Sequence, residues 1–198
     1  MQLILASQSA SRQAMLRAAG VPFTAEPAHI DETAIKVALD AQRAQPRDIA
    51  DRLAELKALK ISARVPQALV LGSDSIAVLA DGTMLDKPAS RTEAEAHLRR
   101  MAGSRISLIS AAVMAHGGAA IWRHVATAKL SVRPLSDSFL DAYLDAEWPA
   151  ISGCVGCFRI EARGVQLFEA IEGDWFTILG MPLLPVLDYL RLRGVIAA

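Results

Sequence analysis

The segment Ser7-Gln8-Ser9-Ala10-Ser11-Arg12 places three hydroxyls and a guanidinium directly after the apolar run at residues 3–6. Small polar residues between a strand and a helix leave backbone N–H groups pointing outward at the helix N-terminus, where an anion binds well. Ser7, Ser9 and Ser11 add hydroxyl donors. Arg12 falls in the first helical turn, the positive end of the helix dipole, where a cation is unfavourable unless an anion neutralises both. The plainer reading is a serine N-cap beside a surface arginine. Neither G-x-x-x-x-G-K-[ST] nor G-x-G-x-x-G occurs, so phosphate binding here would use neither familiar glycine loop.

Three further places offer chemistry. An apolar strand leads into Gly72-Ser73-Asp74-Ser75. Ligands gather at the carboxyl ends of strands in α/β sheets, and an aspartate there serves as metal ligand or general base. A turn aspartate bonding to its own backbone is the rival reading. Lys87 precedes Pro88 and is held extended by it, as a binding cation or a solvated one. Lys57 borders the apolar face of a helix, where it either snorkels to solvent or points into a cleft. Cys154 and Cys157 form a lone C-x-x-C with Gly153 and Gly156 beside them. Zinc would need two more ligands, and a thioredoxin-type pair would open a helix, so two thiols in a turn are expected. The four histidines have no metal or triad spacing.

The elements that must position these residues read as strands and helices in alternation. A strand is expected over 2–6 and a helix over 11–19 with Gly20 as its stop. An extended connection follows over 21–31. The clearest helix spans 48–63, with Ile49, Leu53, Leu56 and Leu59 at helical spacing. Strands over 68–71 and 75–79 lead to a hairpin turn at 80–83. A capping box at 90–93 opens a helix to Met101. Strands over 106–115 and 121–132 pair across Gly117-Gly118. A helix over 136–147, an irregular stretch over 148–164, a strand or helical turn over 165–171 and a helix over 182–193 complete the chain. Strand–helix alternation followed by hairpins implies an α/β fold with a mixed sheet in a single domain over 1–198.

With 198 residues at 53% hydrophobic, the chain can bury a full core. Its 21 basic and 21 acidic residues cancel, which argues against a nucleic-acid polymer but not against one nucleotide. No apolar run reaches the roughly 18 residues that span a bilayer. Met1 lacks a basic leader, and a soluble cytoplasmic protein without signal peptide is expected.

Taken together, these segments resemble the Maf family of nucleoside triphosphate pyrophosphatases. The family's S-x-S-P-x-R stands here as residues 7–12 with Ala10 for the proline. Its DE stands as Asp31-Glu32, its LAxxKA as residues 53–58, its G[AS]D[TQ] as residues 72–75 and its KP as Lys87-Pro88. Residues 164–191 resemble the family's C-terminal signature. The resemblance implies an elongated ITPase-like fold (Maf/Ham1) with two lobes and a central cleft. It implies hydrolysis of a nucleoside triphosphate to monophosphate and pyrophosphate with a divalent metal, magnesium or alternatively manganese. Asp74, Lys57, Lys87 and Arg12 would be catalytic, and Asp74 with Glu32 would hold the metal. Ser7, Ser9 and Ser11 would cradle the triphosphate. Family members are often dimeric, so a homodimer is an expectation alongside the nucleotide.

The pyrimidine-preferring branch carries a second arginine where Ser11 stands, a DKAGAY stretch, and a glutamine where Glu161 stands. Residues 152–164 and Ser73 resemble instead the branch acting on 7-methyl-GTP. A carboxylate at 161 can accept from guanine N1–H and the 2-amino group and favours a cationic methylated base. Phe158 or Trp175 would stack on that base. Glu161 paired with Arg159 or Arg163 is the alternative. Rival functions are a dTTP/UTP pyrophosphatase and a non-catalytic nucleotide-binding regulator of septum formation.

Overall fold

Residues 1–197 are described by a computed structural model. In chain order the elements are β1 (Leu3–Leu5), α1 (Ala10–Ala18), β2 (Thr24–Ala25), α2 (Glu32–Ala41), α3 (Pro46–Ser62), β3 (Leu69–Val78) and β4 (Met84–Leu85). There follow α4 (Arg91–Met101), β5 (Arg105–His116), β6 (Ala119–Val132), α5 (Asp137–Glu147), β7 (Phe168–Glu172), α6 (Trp175–Ile178) and α7 (Leu183–Leu192). The strands form one seven-stranded mixed sheet in the order β2-β1-β3-β5-β6-β7, with β4 against β3. β1 runs parallel to both neighbours, Ile4 lying opposite Thr24 and Val70. β4 and β7 pair antiparallel, on β3 and β6. Among the described residues no helix is long and apolar enough to cross a membrane.

The chain divides into two compact units. The first holds Met1–Ser75, Ile109–Ala126 and the chain from Gly180 onward; the second holds Ile76–Leu108 and Thr127–Leu179. The first unit is built on β1, whose three residues are buried on both faces as a parallel interior strand requires. Leu16 of α1, Ile49, Leu53 and Ile61 of α3, and Leu69 and Leu71 of β3 are fully buried with it. The second unit packs Leu98 and Met101 of α4, Leu140 and Leu144 of α5, and Leu130 of β6 into one core with Ile151 and Leu167.

Local signals fixed several boundaries. Ser9 caps α1, one residue ahead of the expected start, and accepts from the Arg12 N–H. The hairpin turn at 80–83 closes with Leu79 N–H on the Thr83 carbonyl at 2.8 Å, and Gly82 supplies the left-handed φ of +86°. At α4, Ser90 Oγ accepts from Glu93 N–H at 3.1 Å, and Glu93 Oε2 accepts from Ala89 N–H at 2.8 Å.

Three expectations are corrected. The two strands expected over 68–71 and 75–79 are one strand, β3, which runs unbroken through Gly72-Ser73-Asp74-Ser75. Asp74 therefore projects from mid-strand rather than from a strand end. Gly72 serves close packing, not a turn. A Cβ there would stand 2.1 Å from the Ala54 carbonyl oxygen and 2.7 Å from the Ala58 nitrogen of α3. The second correction is α2, which the sequence reading passed over. None of its residues is buried, so the apolar stripe that marks a core helix is absent. Its start is nevertheless capped, Asp31 Oδ1 accepting from Ala34 N–H at 2.9 Å. The third concerns α3, whose buried stripe runs through Leu53, Ala54, Lys57, Ala58 and Ile61. Leu56 and Leu59 are only partly buried, so Lys57 lies within the buried face instead of at its border.

Gly72→Ala is expected to destabilise the protein by about 3 kcal/mol, because the methyl group meets backbone that cannot move aside. Urea denaturation compares it with Gly153→Ala, where nothing lies within 4 Å of the added carbon and little change is expected.

Candidate functional site

In the first unit, α3 delivers Lys57, β3 delivers Asp74 and the first turn of α2 delivers Glu32. The Lys57 ammonium lies 2.6 Å from Asp74 Oδ1 and 2.6 Å from Glu32 Oε1. Lys57 and Asp74 are buried, at 8% and 5% exposure. Buried charges persist only when matched, and here one ammonium contacts two carboxylates, which also compensate the nearby Arg12 guanidinium. Among the described residues no three His, Cys, Asp or Glu side chains group to hold a metal. An all-protein cage is not what magnesium requires. It commonly takes one or two carboxylates and completes its shell with water and substrate phosphates. Asp74 and Glu32, which both contact the Lys57 ammonium, are the two carboxylates such an ion would use.

Beside this triad lies a second buried network. Arg12 is almost wholly buried, and burial lowers its pKa while Asp74 and then Glu32 raise it. Its Nε donates to the Gly180 carbonyl at 2.8 Å, NH1 to Ser7 Oγ at 3.3 Å and NH2 to Ser75 Oγ at 3.0 Å. Three N–H donors are thus used inside the protein, leaving two of the guanidinium's five. Arg12 is therefore no surface arginine beside a cap; it is a strut. Gly180, at φ +107°, also accepts from Ser73 Oγ at 3.1 Å and Ser75 Oγ at 3.0 Å. Ser110, on β5, lies 2.8 Å from Ser75 Oγ. Sequence reading missed Gly180 and Ser110, because nothing local to either announces partners so distant along the chain.

The opening serines have distinct roles. Ser7 Oγ accepts from Ser9 N–H at 3.2 Å and from Arg12 NH1, so both its lone pairs are taken. Only its proton remains to offer, and it will seek an acceptor such as a phosphate oxygen. Ser9 Oγ accepts the Arg12 N–H as N-cap. Ser11 lies half-buried in the first turn of α1.

The second unit holds the other candidates. Lys87 and Glu161 are exposed. Phe158 is 5% exposed and packs edge-on against Phe168, ring centres 4.8 Å apart. Its ring belongs to the core and is not presented as the open stacking face expected of it. Trp175, at 43% exposure, is the accessible aromatic of the two. The hydrogen bonds of Arg159 go to Glu147 rather than to Glu161: its Nε and NH2 donate to Glu147 Oε2 at 3.0 and 2.8 Å.

The family model described as Maf-like protein matches residues 2–193. The chain is 54% identical over 195 residues to a nucleoside triphosphate pyrophosphatase of Sphingopyxis alaskensis, covering 98% of both chains. It is 47% identical over 197 residues to a 7-methyl-GTP pyrophosphatase of Rhizobium meliloti, covering 99% of this chain and 98% of the other. Among solved structures it is similar to a HAM1 protein from Coxiella burnetii, at 14% identity and a TM-score of 0.43 over 67% of this chain and 73% of that one.

Cys154 and Cys157 are unbridged thiols joined by a turn, Cys157 N–H donating to the Cys154 carbonyl at 3.2 Å. Burial pushes the Cys157 thiol up to about 12, and its Sγ lies 3.4 Å from His97 Nδ1. Burial likewise raises Cys154, with Glu161 adding to the effect and Arg159 and Lys87 opposing it. A raised pKa leaves less thiolate, the reactive form, than an unfolded chain has at the same pH. At pH 8 both thiols are expected to react with a chromogenic disulfide at least about tenfold more slowly in the native protein than in guanidinium. Equal rates would show that the turn does not bury them.

Proposed function

The chain belongs to the Maf family and is a nucleoside triphosphate pyrophosphatase; on that footing we propose that it is a metal-dependent hydrolase preferring 7-methyl-GTP or another modified purine nucleotide. The reaction adds water across the bond that links the monophosphate to the departing pyrophosphate. Charge is the obstacle, since the attacked phosphorus carries anionic oxygens and the leaving group takes on more. In this reading Arg12, Lys57 and Lys87 supply positive charge, the N–H groups Arg12 has left facing a phosphate oxygen. The Ser7 proton, with Ser9 and Ser11, completes the cradle. Asp74 and Glu32 would hold magnesium, or manganese, which when bound neutralises phosphate oxygens as a Lewis acid. Asp74 accepts a proton from, or orients, the attacking water.

One observation favours the base preference: Glu161 is exposed, and Arg159 turns both Nε and NH2 onto Glu147 while feeling Glu161 through its charge. Such a carboxylate suits the donor edge of guanine and the positive charge of a 7-methylated ring, whereas uracil and thymine present acceptors on either side of one N–H. The name borne by the Rhizobium relative agrees with this reading.

Asp74→Asn is expected to fold with an unchanged far-ultraviolet spectrum and to lose at least about a hundredfold in kcat, the size of a general-base contribution. Near-normal kcat would remove Asp74 from the reaction. Pyrophosphate release with magnesium should rank 7-methyl-GTP above GTP, dTTP, UTP, CTP and ITP. Glu161→Gln should reduce the preference for 7-methyl-GTP over GTP by about tenfold, as loss of one charge-assisted contact does. A ranking led by dTTP or UTP would sink the base assignment and keep the reaction.

A further inference from the structure

We infer that the ion pair between buried Glu147 and partly exposed Arg159 is a positioning device for Glu161, setting base selectivity without touching the base. The inference rests on the reading of Glu161 given above.

Glu147 ends α5 and is 4% exposed. That is an adverse place for a carboxylate twice over. The C-terminal end of a helix is its negative pole, and burial strips the charge of water. The last turn of α5 carries no basic residue to offset it. The offset comes from Arg159, which turns both Nε and NH2 onto the single oxygen Oε2. A residue that breaks two local rules and is matched by one distant partner is kept for what the match accomplishes.

The match fixes a short piece of chain. Arg159 is held through its side chain by α5 and through its backbone by Gly164. A Cβ on Gly164 would stand 2.5 Å from the Arg159 carbonyl oxygen and 2.8 Å from its nitrogen. The same carbonyl accepts from Ala162 N–H at 3.1 Å. Residues 159–164 are thereby closed on themselves. A second tie from α5 lies just before them, Tyr143 Oη donating to the Cys157 carbonyl at 3.0 Å. Phe158 and Ile160 are buried on either side of Arg159, at 5% and 3% exposure. With residues 158, 159 and 160 each anchored, residue 161 has one direction left, outward, and Glu161 is exposed there. The ion pair thus converts a flexible loop carboxylate into one held at a defined place, and selectivity between similar bases depends on such placement.

Removing Arg159 alone would strand the Glu147 charge and risks unfolding. The decisive variant is therefore the double replacement Glu147→Met with Arg159→Met, which fills the space without charge. Arg159→Lys keeps the charge and loses the two-pronged fork. Thermal melts establish that each is folded, and kcat and KM are then measured separately for 7-methyl-GTP and GTP. The double variant is expected to lower the 7-methyl-GTP to GTP ratio of kcat/KM by about tenfold, approaching Glu161→Gln, through KM. Its kcat for GTP should stay within about twofold, and Arg159→Lys should recover part of the ratio. A folded double variant with an unchanged ratio, while Glu161→Gln lowers it, overturns the positioning role and leaves the Glu161 reading intact. An unchanged ratio in Glu161→Gln overturns that reading, and the inference with it.

Discussion

The carbonyl oxygen of Gly180 takes three hydrogen bonds, from Arg12 Nε, Ser73 Oγ and Ser75 Oγ, and the first unit is organised around that oxygen. Ser75 has a single proton, and given to Gly180 it makes Ser110 the donor in the Ser75–Ser110 contact. Ser75 Oγ then accepts from both Ser110 and Arg12 and has no capacity left. Four stretches far apart in sequence meet here: the first turn of α1, the middle of β3, the interior of β5 and the chain that enters α7. A Cβ on Gly180 would come within 3.3 Å of Ser75 Oγ, and its φ of +107° suits glycine alone. Exchanging any member leaves the others with unmatched groups in a dry setting, where a missing bond costs more than a present one contributes.

The same packing decides the electrostatics. Arg12 and Lys57 are both buried, and the same two carboxylates, Asp74 and Glu32, compensate both charges. Asp74 and Glu32 support Arg12 over distance while contacting Lys57 directly. The unit therefore carries its positive charges in advance, each held by a carboxylate. On the proposed reading, an arriving polyphosphate would meet donors already oriented by the fold, with little reorganisation as charge shifts.

How far the sequence announced this depended on whether a signal was local. The capping box at Ser90 and the hairpin at Gly82 depend on residues within four of each other and were legible. Lys57, Asp74, Glu32 and the opening serines were found because residue type and the family resemblance marked them. The mid-strand setting of Asp74 was not legible, since Gly-Ser-Asp-Ser has turn-like composition. Only the approach of α3 shows that Gly72 is there for want of room. α2 escaped because it buries nothing. Gly180, Ser110 and Glu147 escaped for the opposite reason: each is defined by a partner 12 to 168 residues away, or, for Ser110, by one 35 away. Phe158 was identified by type as a stacking ring, yet type cannot tell a ring facing a ligand from one facing Phe168.

Hydrolysis and discrimination place different demands on a fold, and the chain meets them with different parts. Neutralising a triphosphate needs several charges fixed in depth, so the residues proposed for that work in the first unit sit on α1, α3 and β3, where packing holds them. Telling one base from another needs a single group that can change without disturbing the rest. Glu161 stands on a loop in the second unit, and loops tolerate substitution that strands do not. A loop by itself is too mobile to discriminate. On the proposed reading the Glu147–Arg159 pair reconciles the two demands: residue 161 is exposed and so exchangeable, while its position is inherited from an ion pair two residues back. On the same reading, preference is set at position 161 and by the pair that positions it, so it can shift with the charged machinery of the first unit left as it is.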